Sequence, residues 1–172
     1  LQYYFDGNGK LSSCTMIDVS KHNGDIDWNA VKAAGVDYAI IRVGYRGYGT
    51  ARLVQDACFD QNMRGAINAG IRVGAYIVTQ AVNTEEAVEE ASFIVEKCRG
   101  YNVTLPLAID VEWTTNRDGR ADYISVSTRT DVINAFARTV MNSGYTAMAY
   151  ANKDWFENKT VSYTHLRAHE TG

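Results

Sequence analysis

Short apolar runs alternate with amphipathic stretches between residues 15 and 150. The runs at 16–19, 38–43, 71–78, 105–109 and 145–150 have the length of strands, and several are apolar almost throughout, as in a strand covered on both faces. Between them, apolar residues recur at helical spacing. Phe59, Met63, Ala66 and Ile67 form one such face, Ala87, Ala91, Ile94, Val95 and Cys98 a second, and Val132, Ile133, Phe136 and Val140 a third. Start signals precede the predicted helices: Asp27, Asp56, and Asn83 with Glu86 at capping-box spacing. Gly35, Gly70, Gly100 and Gly144 stop them. A short helix over 28–34 and another over 152–156 complete the pattern, and a polar loop spans 114–123.

Alternation of this kind predicts a parallel sheet with helical crossovers. An open doubly wound sheet and a barrel both satisfy it. Asp18, Tyr45, Tyr76, Asp110, Glu112 and Tyr150 fall at the C-terminal ends of their strands. In a barrel those ends converge on one mouth, which favours an irregular (β/α) TIM-like barrel of five βα units. A full eight-stranded barrel needs more chain, so the final strands are expected to be missing or replaced.

The two ends break the rhythm. Residues 1–13 join an aromatic run, Tyr3-Tyr4-Phe5, to the turn Asp6-Gly7-Asn8-Gly9. The turn signals a hairpin; the stretch reads as a linker or resembles the end of a cell-wall-binding repeat. The main domain is expected over 14–160. Residues 161–172 form an atypical tail that resembles a translated sequencing-adapter remnant. The chain opens on Leu1, as expected of a piece of a longer product. His165 and His169 have an i, i+4 spacing, but no acidic companion supports a metal site.

The net charge of −3 argues against a nucleic-acid binder, and no apolar run reaches the length of a membrane span. Cys14, Cys58 and Cys98 include no C-x-x-C pair and are expected as small buried hydrophobes. The chemistry concentrates at Asp110-Val111-Glu112-Trp113. Positions two apart on a strand share a face, which puts the two acidic residues' Cα atoms roughly 6.5 Å apart. Like charges so close push their pKa values apart, the split that acid-assisted glycoside cleavage requires. Backbone spacing does not choose between an attacking water and a protein nucleophile. A structural pair bridged to an arginine such as Arg42 is the alternative reading.

The residues then carry a family resemblance. Ile17-Asp18-Val19-Ser20-Lys21-His22-Asn23-Gly24-Asp25-Ile26-Asp27-Trp28 resembles the opening motif of the glycoside hydrolase family 25 muramidases, the Chalaropsis-type lysozymes. The stretches 38–45 and 69–76 resemble their second and third strands, and Asp110-Val111-Glu112 resembles their catalytic D-x-E. The resemblance implies cleavage of the β-1,4 bond between N-acetylmuramic acid and N-acetylglucosamine in bacterial peptidoglycan. Glu112 would be the general acid. Asp110 would orient the substrate's N-acetyl group as internal nucleophile, with Asp18 supporting the pair. Tyr76, Tyr45, Trp113, Tyr150 and Arg42 would contact substrate. No metal or cofactor is implied. A monomer acting outside the cell or in the cell wall, bacterial or phage-encoded, is the corresponding expectation. The competing expectation is a non-catalytic wall-binding module. Relatives usually carry a further acidic residue on a late strand after the region of 152–156; this sequence has only the atypical tail there, so that residue is expected to be either missing or cut off by truncation.

Overall fold

The computed structural model describes residues 14–151. The expectations for 1–13, for a helix over 152–156 and for the tail lie outside the described residues. Strand β1 (Thr15–Val19) leads through a short 3₁₀ turn (Lys21–Asn23) to helix α1 (Trp28–Ala33). Strands β2 (Val36–Arg46) and β3 (Leu53–Gln55) precede helix α2 (Phe59–Asn68). Strand β4 (Arg72–Val78), helix α3 (Thr84–Cys98), strand β5 (Val103–Val111), helix α4 (Val126–Asn142) and strand β6 (Ala147–Ala151) follow.

The sheet order is β1-β2-β4-β5-β6, every pair on this path parallel, with β3 antiparallel on β2. That order decides between the two architectures. A doubly wound sheet must reverse its strand order to place helices on both faces. Here each crossover advances one position in the same direction, so right-handed connections put all helices on one face. The other face curls inward as a half-barrel. The hairpin partner β3, too short for a periodic signal, is absent from the sequence-level pattern.

The core lies between the sheet's outer face and the helices. Ala39, Ile41 and Val43 on β2, Val73, Ala75 and Ile77 on β4, and Leu107, Ile109 and Val111 on β5 pack with Phe59, Met63, Ile94, Phe136 and Val140. Each large side chain buried there contributes roughly 1.5–3 kcal/mol. Every helix-face residue named from the spacing is buried except Ile67, which is half-buried. Helices α1 and α2 meet at Gly65, where an added Cβ would lie 2.2 Å from Trp28 Cδ1. Pro106 sits within β5 at a register irregularity between its pairings with Val73 and Ala75, where its missing N–H is tolerated.

Three expectations need correction. Asp56 does not cap α2 directly: Cys58 is the N-cap, and Asp56 Oδ1 accepts the Cys58 N–H at 2.9 Å from two residues upstream. Asn83 caps α3 by accepting the Glu86 N–H, but the Glu86 carboxylate turns to the Val82 N–H, leaving the reciprocal half of the box unmade. Of the cysteines only Cys98 is fully buried, its thiol pushed up to about 12 by desolvation. Cys58 is half-buried and Cys14, immediately before β1, is exposed.

Candidate active site

The period of two along each strand sorts side chains between the helix layer and the inner face of the half-barrel. On β5, Leu107, Ile109 and Val111 join the helix layer, so Ala108 and Asp110 face inward. On β4 the same alternation sends Tyr76 inward, and on β1 it sends Asp18 inward beside Ile40 of β2. Arg42 is in register with Tyr76, and Asp110 with Tyr150. Glu112 follows at the end of β5, exposed at the lip. The expected residues Asp18, Arg42, Tyr76, Asp110, Glu112 and Tyr150 therefore gather at one end of the sheet.

Tyr45 reaches this group by an irregularity the sequence does not announce. Arg42 pairs with Tyr76 but Gly44 pairs with Ile77, so two residues of β2 oppose one of β4. This bulge at Val43 reverses the alternation. Tyr45 turns to the mouth, with Arg42 and Lys21 at 5.8 and 5.9 Å from its ring centre. Arg46 turns to the helix layer, where its Nε donates to Glu90 at 2.8 Å.

Arg42 is not bridged to the acidic pair. Its Nε donates to Asp56 Oδ2 at 2.7 Å, and the same oxygen accepts the Lys21 N–H at 3.1 Å. Desolvation works against charge on buried Asp56, but the N–H groups of Lys21 and Cys58 and the Arg42 guanidinium outweigh it and hold the carboxyl below its ordinary range. Asp56 thus fixes both Arg42 and the turn after β1.

Asp110 has the opposite fate. Its side chain is buried, and its Oδ1 meets no hydrogen-bond donor among the described residues. Burial, then the charges of Glu112 and Asp18, push its pKa up to about 8; Arg42 opposes them only in part. Burial and the surrounding carboxylates also raise Tyr150, and burial raises Tyr76, with Arg42 opposing. Near neutrality Asp110 therefore keeps its proton. The described residues contain no group of three or more His, Cys, Asp or Glu side chains placed to hold a metal ion.

The segment after β4 builds the rim rather than offering aromatic contacts. Thr79, Gln80 and Ala81 are buried. Thr79 N–H extends the ladder to Asp110 O at 3.0 Å, and its hydroxyl donates to Glu90 at 2.6 Å. Gln80 Oε1 accepts the Ala121 N–H at 3.1 Å, tying the loop after β5 to the sheet. That loop closes on buried Asp122, which accepts from the Thr114 hydroxyl at 2.6 Å and the Gly119 N–H at 2.9 Å. Arg120 adds an ion pair to Glu86 at 2.7 Å. A Cβ on Gly119 would come within 2.4 Å of Thr114 Cγ2 and 2.7 Å of Gln80 Oε1. A shallow cleft lined by Thr79, Val111, Ala121 and Arg129 lies under this loop, and of the acidic pair only Glu112 borders it. Trp113 follows Glu112 and meets Tyr123 at 5.6 Å between ring centres. Lys21, Glu90 and Tyr123 have no role in the sequence pattern and Asp56 only that of a helix cap, because each is placed by tertiary contacts.

The chain resembles known proteins along nearly its whole length. The sequence profile of Glycosyl hydrolases family 25 matches residues 17–171. Lysozyme M1 of Streptomyces globisporus is 30% identical over 167 residues, covering 94% of this chain and 54% of its own length. The autolytic lysozyme of Clostridium acetobutylicum is 29% identical over 147 residues, with 85% and 40% covered. Among solved structures, the modular autolysin LytC of Streptococcus pneumoniae superposes with a TM-score of 0.75 at 27% identity, over 91% of this chain and 37% of that one; it is also known in complex with a synthetic peptidoglycan ligand. The chain spans about half or less of the length of these relatives. With the profile match, the curled parallel sheet and a D-x-E ending its fourth parallel strand, the chain belongs to glycosyl hydrolases family 25.

Proposed function

We propose that this chain hydrolyses peptidoglycan, cleaving the β-1,4 bond from N-acetylmuramic acid to N-acetylglucosamine. The observation that carries the reading is the pair at the end of β5: a buried carboxyl with an unpartnered oxygen, two residues from an exposed one. Family membership and the lysozyme relatives support the substrate class.

The proposed chemistry uses one proton shared by the pair. Before substrate binds, that proton rests on Asp110. A substrate amide N–H donated to Asp110 Oδ1 favours the ionised form there and leaves the proton to Glu112. Glu112 then protonates the departing O4 of N-acetylglucosamine as the C1–O4 bond breaks. The N-acetyl carbonyl oxygen attacks C1 from the opposite face and forms a cyclic oxazolinium, the substrate-assisted exception to the two-carboxylate schemes. Water opens this ring at C1, giving its proton to the Glu112 carboxylate. Asp18 adds negative charge that opposes positive charge developing on the sugar. Tyr76, Tyr45, Tyr150 and Trp113 supply the walls and Arg42 a fixed cation. The reading places action outside the cell or in its wall, by a single chain without a cofactor.

Glu112→Gln keeps the side-chain shape and removes the proton. It is expected to stop clearing of a bacterial wall suspension, with a loss of roughly 10²–10⁴-fold or more, while circular dichroism stays unchanged. Undiminished clearing would sink the proposal. Pelleting with walls by the wild type, without release of reducing ends, would identify a wall-binding module instead.

A further inference from the structure

The rim beside Glu112 carries a group that the proposed chemistry does not use. Tyr123 is 73% exposed, its ring tilted against Trp113. Exposed Arg117 sets its guanidinium 5.2 Å from the centre of the Trp113 ring. Arg117 holds a left-handed backbone, φ 55°, unusual for a residue with a Cβ. The loop that imposes it is fixed from within. Arg117 N–H donates to Thr114 O, and the Thr114, Gly119 and Asp122 network closes beneath. The other basic residue of the loop, Arg120, is used up on Glu86, whereas Arg117 has no carboxylate in ion-pair range among the described residues.

We propose that Trp113, Tyr123 and Arg117 form an anion-selective glycan subsite in which the two rings stack a sugar and the Arg117 guanidinium binds a carboxylate of the attached peptide stem. This rests on the peptidoglycan reading above and specifies which feature of that polymer is recognised. A ring pair held by a rigid loop offers a flat apolar face at little ordering cost. A guanidinium lying over an aromatic face keeps its in-plane N–H edge for a bidentate acceptor. The neighbouring Glu112 and Asp18 repel an anion at the centre of the mouth, where Arg42 is already paired with Asp56, so a stem carboxylate is accepted only where a cation stands apart from them. Arg117, on the rim loop rather than on a strand, is that cation. The stem is thereby drawn to the β5 side, and its sugar is set over the Trp113–Tyr123 rings next to Glu112.

The test measures binding directly, so that it does not depend on turnover. Soluble glycan fragments with intact acidic stems, and the same fragments with stem carboxylates amidated by carbodiimide, are titrated calorimetrically into Glu112→Gln and into its double variants. Glu112→Gln is expected to bind acidic fragments about tenfold more tightly than amidated ones, a difference of about 1.4 kcal/mol. Adding Arg117→Ala abolishes that preference, and Arg117→Lys restores part of it. Adding Tyr123→Ala weakens both fragments equally. Equal affinity for both fragments, or a preference that survives Arg117→Ala, overturns the inference. Wild-type protein that discriminates between the fragments but cleaves neither would refute the hydrolytic reading and leave the subsite standing.

Discussion

Asp18 raises the proton affinity of Asp110 although two strands lie between theirs. Three strand spacings on a flat sheet would part them by about 14 Å, beyond the screening distance at physiological salt. Curling brings β1 and β5 toward each other across the inner face, so the charge pattern at the mouth depends on the sheet's shape. Asp110 also combines inward direction, burial and an unpaired oxygen, which is why it, of the acids at the mouth, is pushed so far from its ordinary range.

The pH dependence of stability follows. The pKa of Asp110 is about 8 in the folded chain, against the ordinary 3.8 of an unfolded one. Below the lower value both states carry the proton. Between the two only the folded state does, so stability falls as pH rises and the loss is complete above about 8. Asp110→Asn cannot ionise. It is expected to melt several degrees above wild type at pH 8.5, the gap closing toward pH 4. A gap independent of pH would contradict the buried-proton account.

Activity has its own pH signature. The proposed chemistry requires one proton on the pair, and Asp110 gives it up near pH 8. The value of kcat/KM on wall fragments is expected to fall tenfold per unit above that point. A flat profile to pH 9.5 would show that the pair does not share a proton.

Asp56 keeps Arg42 away from Asp110. Removing it in Asp56→Ala leaves the half-buried Arg42 guanidinium without its partner, with an expected loss of about 1.5–3 kcal/mol in denaturant titrations. The freed guanidinium would turn to the nearest carboxylates and favour their ionised forms. The alkaline limb of kcat/KM should therefore move below pH 8, whereas a purely structural role for Asp56 leaves it in place.

Glu90 is fully buried, and desolvation pushes its pKa up against the hydrogen bonds from Thr79 and Arg46 that hold it down. Arg46→Ala or Glu90→Ala alone should cost about 3–5 kcal/mol, while Arg46→Met with Glu90→Leu should cost much less than the sum. Additive losses would mean that the two side chains do not depend on each other.

Gly119→Ala tests the loop that carries the rim. Its Cβ has no room between Thr114, Gln80 and Asp122. An overpacking cost of about 1–3 kcal/mol is expected. It should appear as a raised KM on wall fragments, with little change at the sheet core, readable by hydrogen exchange. Unchanged KM would show that the rim does not hold substrate.

Much of this architecture is legible along the chain, for a physical reason. Residues such as Ile94 and Phe136 are placed by helical period, and Leu107 with Ile109 by strand period, both local properties of sequence. Asp110 and Glu112 are legible because their shared face follows from the same period. Glu90 looks like one more surface acid of α3; its burial is set by Arg46, 44 positions earlier. Tyr123 and Arg117 sit in a loop whose course depends on Asp122 and Gln80, so no periodicity places them. The same holds for Asp56: local spacing marks it as a helix cap, whereas its stronger partners, Arg42 and Lys21, are distant in the chain.

The extra residue at Val43 sets which changes of length β2 can absorb. Arg42 and Gly44 already stand opposite the consecutive Tyr76 and Ile77, so losing the valine itself would leave Tyr45 and Arg46 on their present faces and remove one core side chain. One residue added between Gly44 and Tyr45 has no such slack. It would exchange the two destinations, sending a guanidinium toward the carboxylates of the mouth and a phenol against a now-unneutralised Glu90.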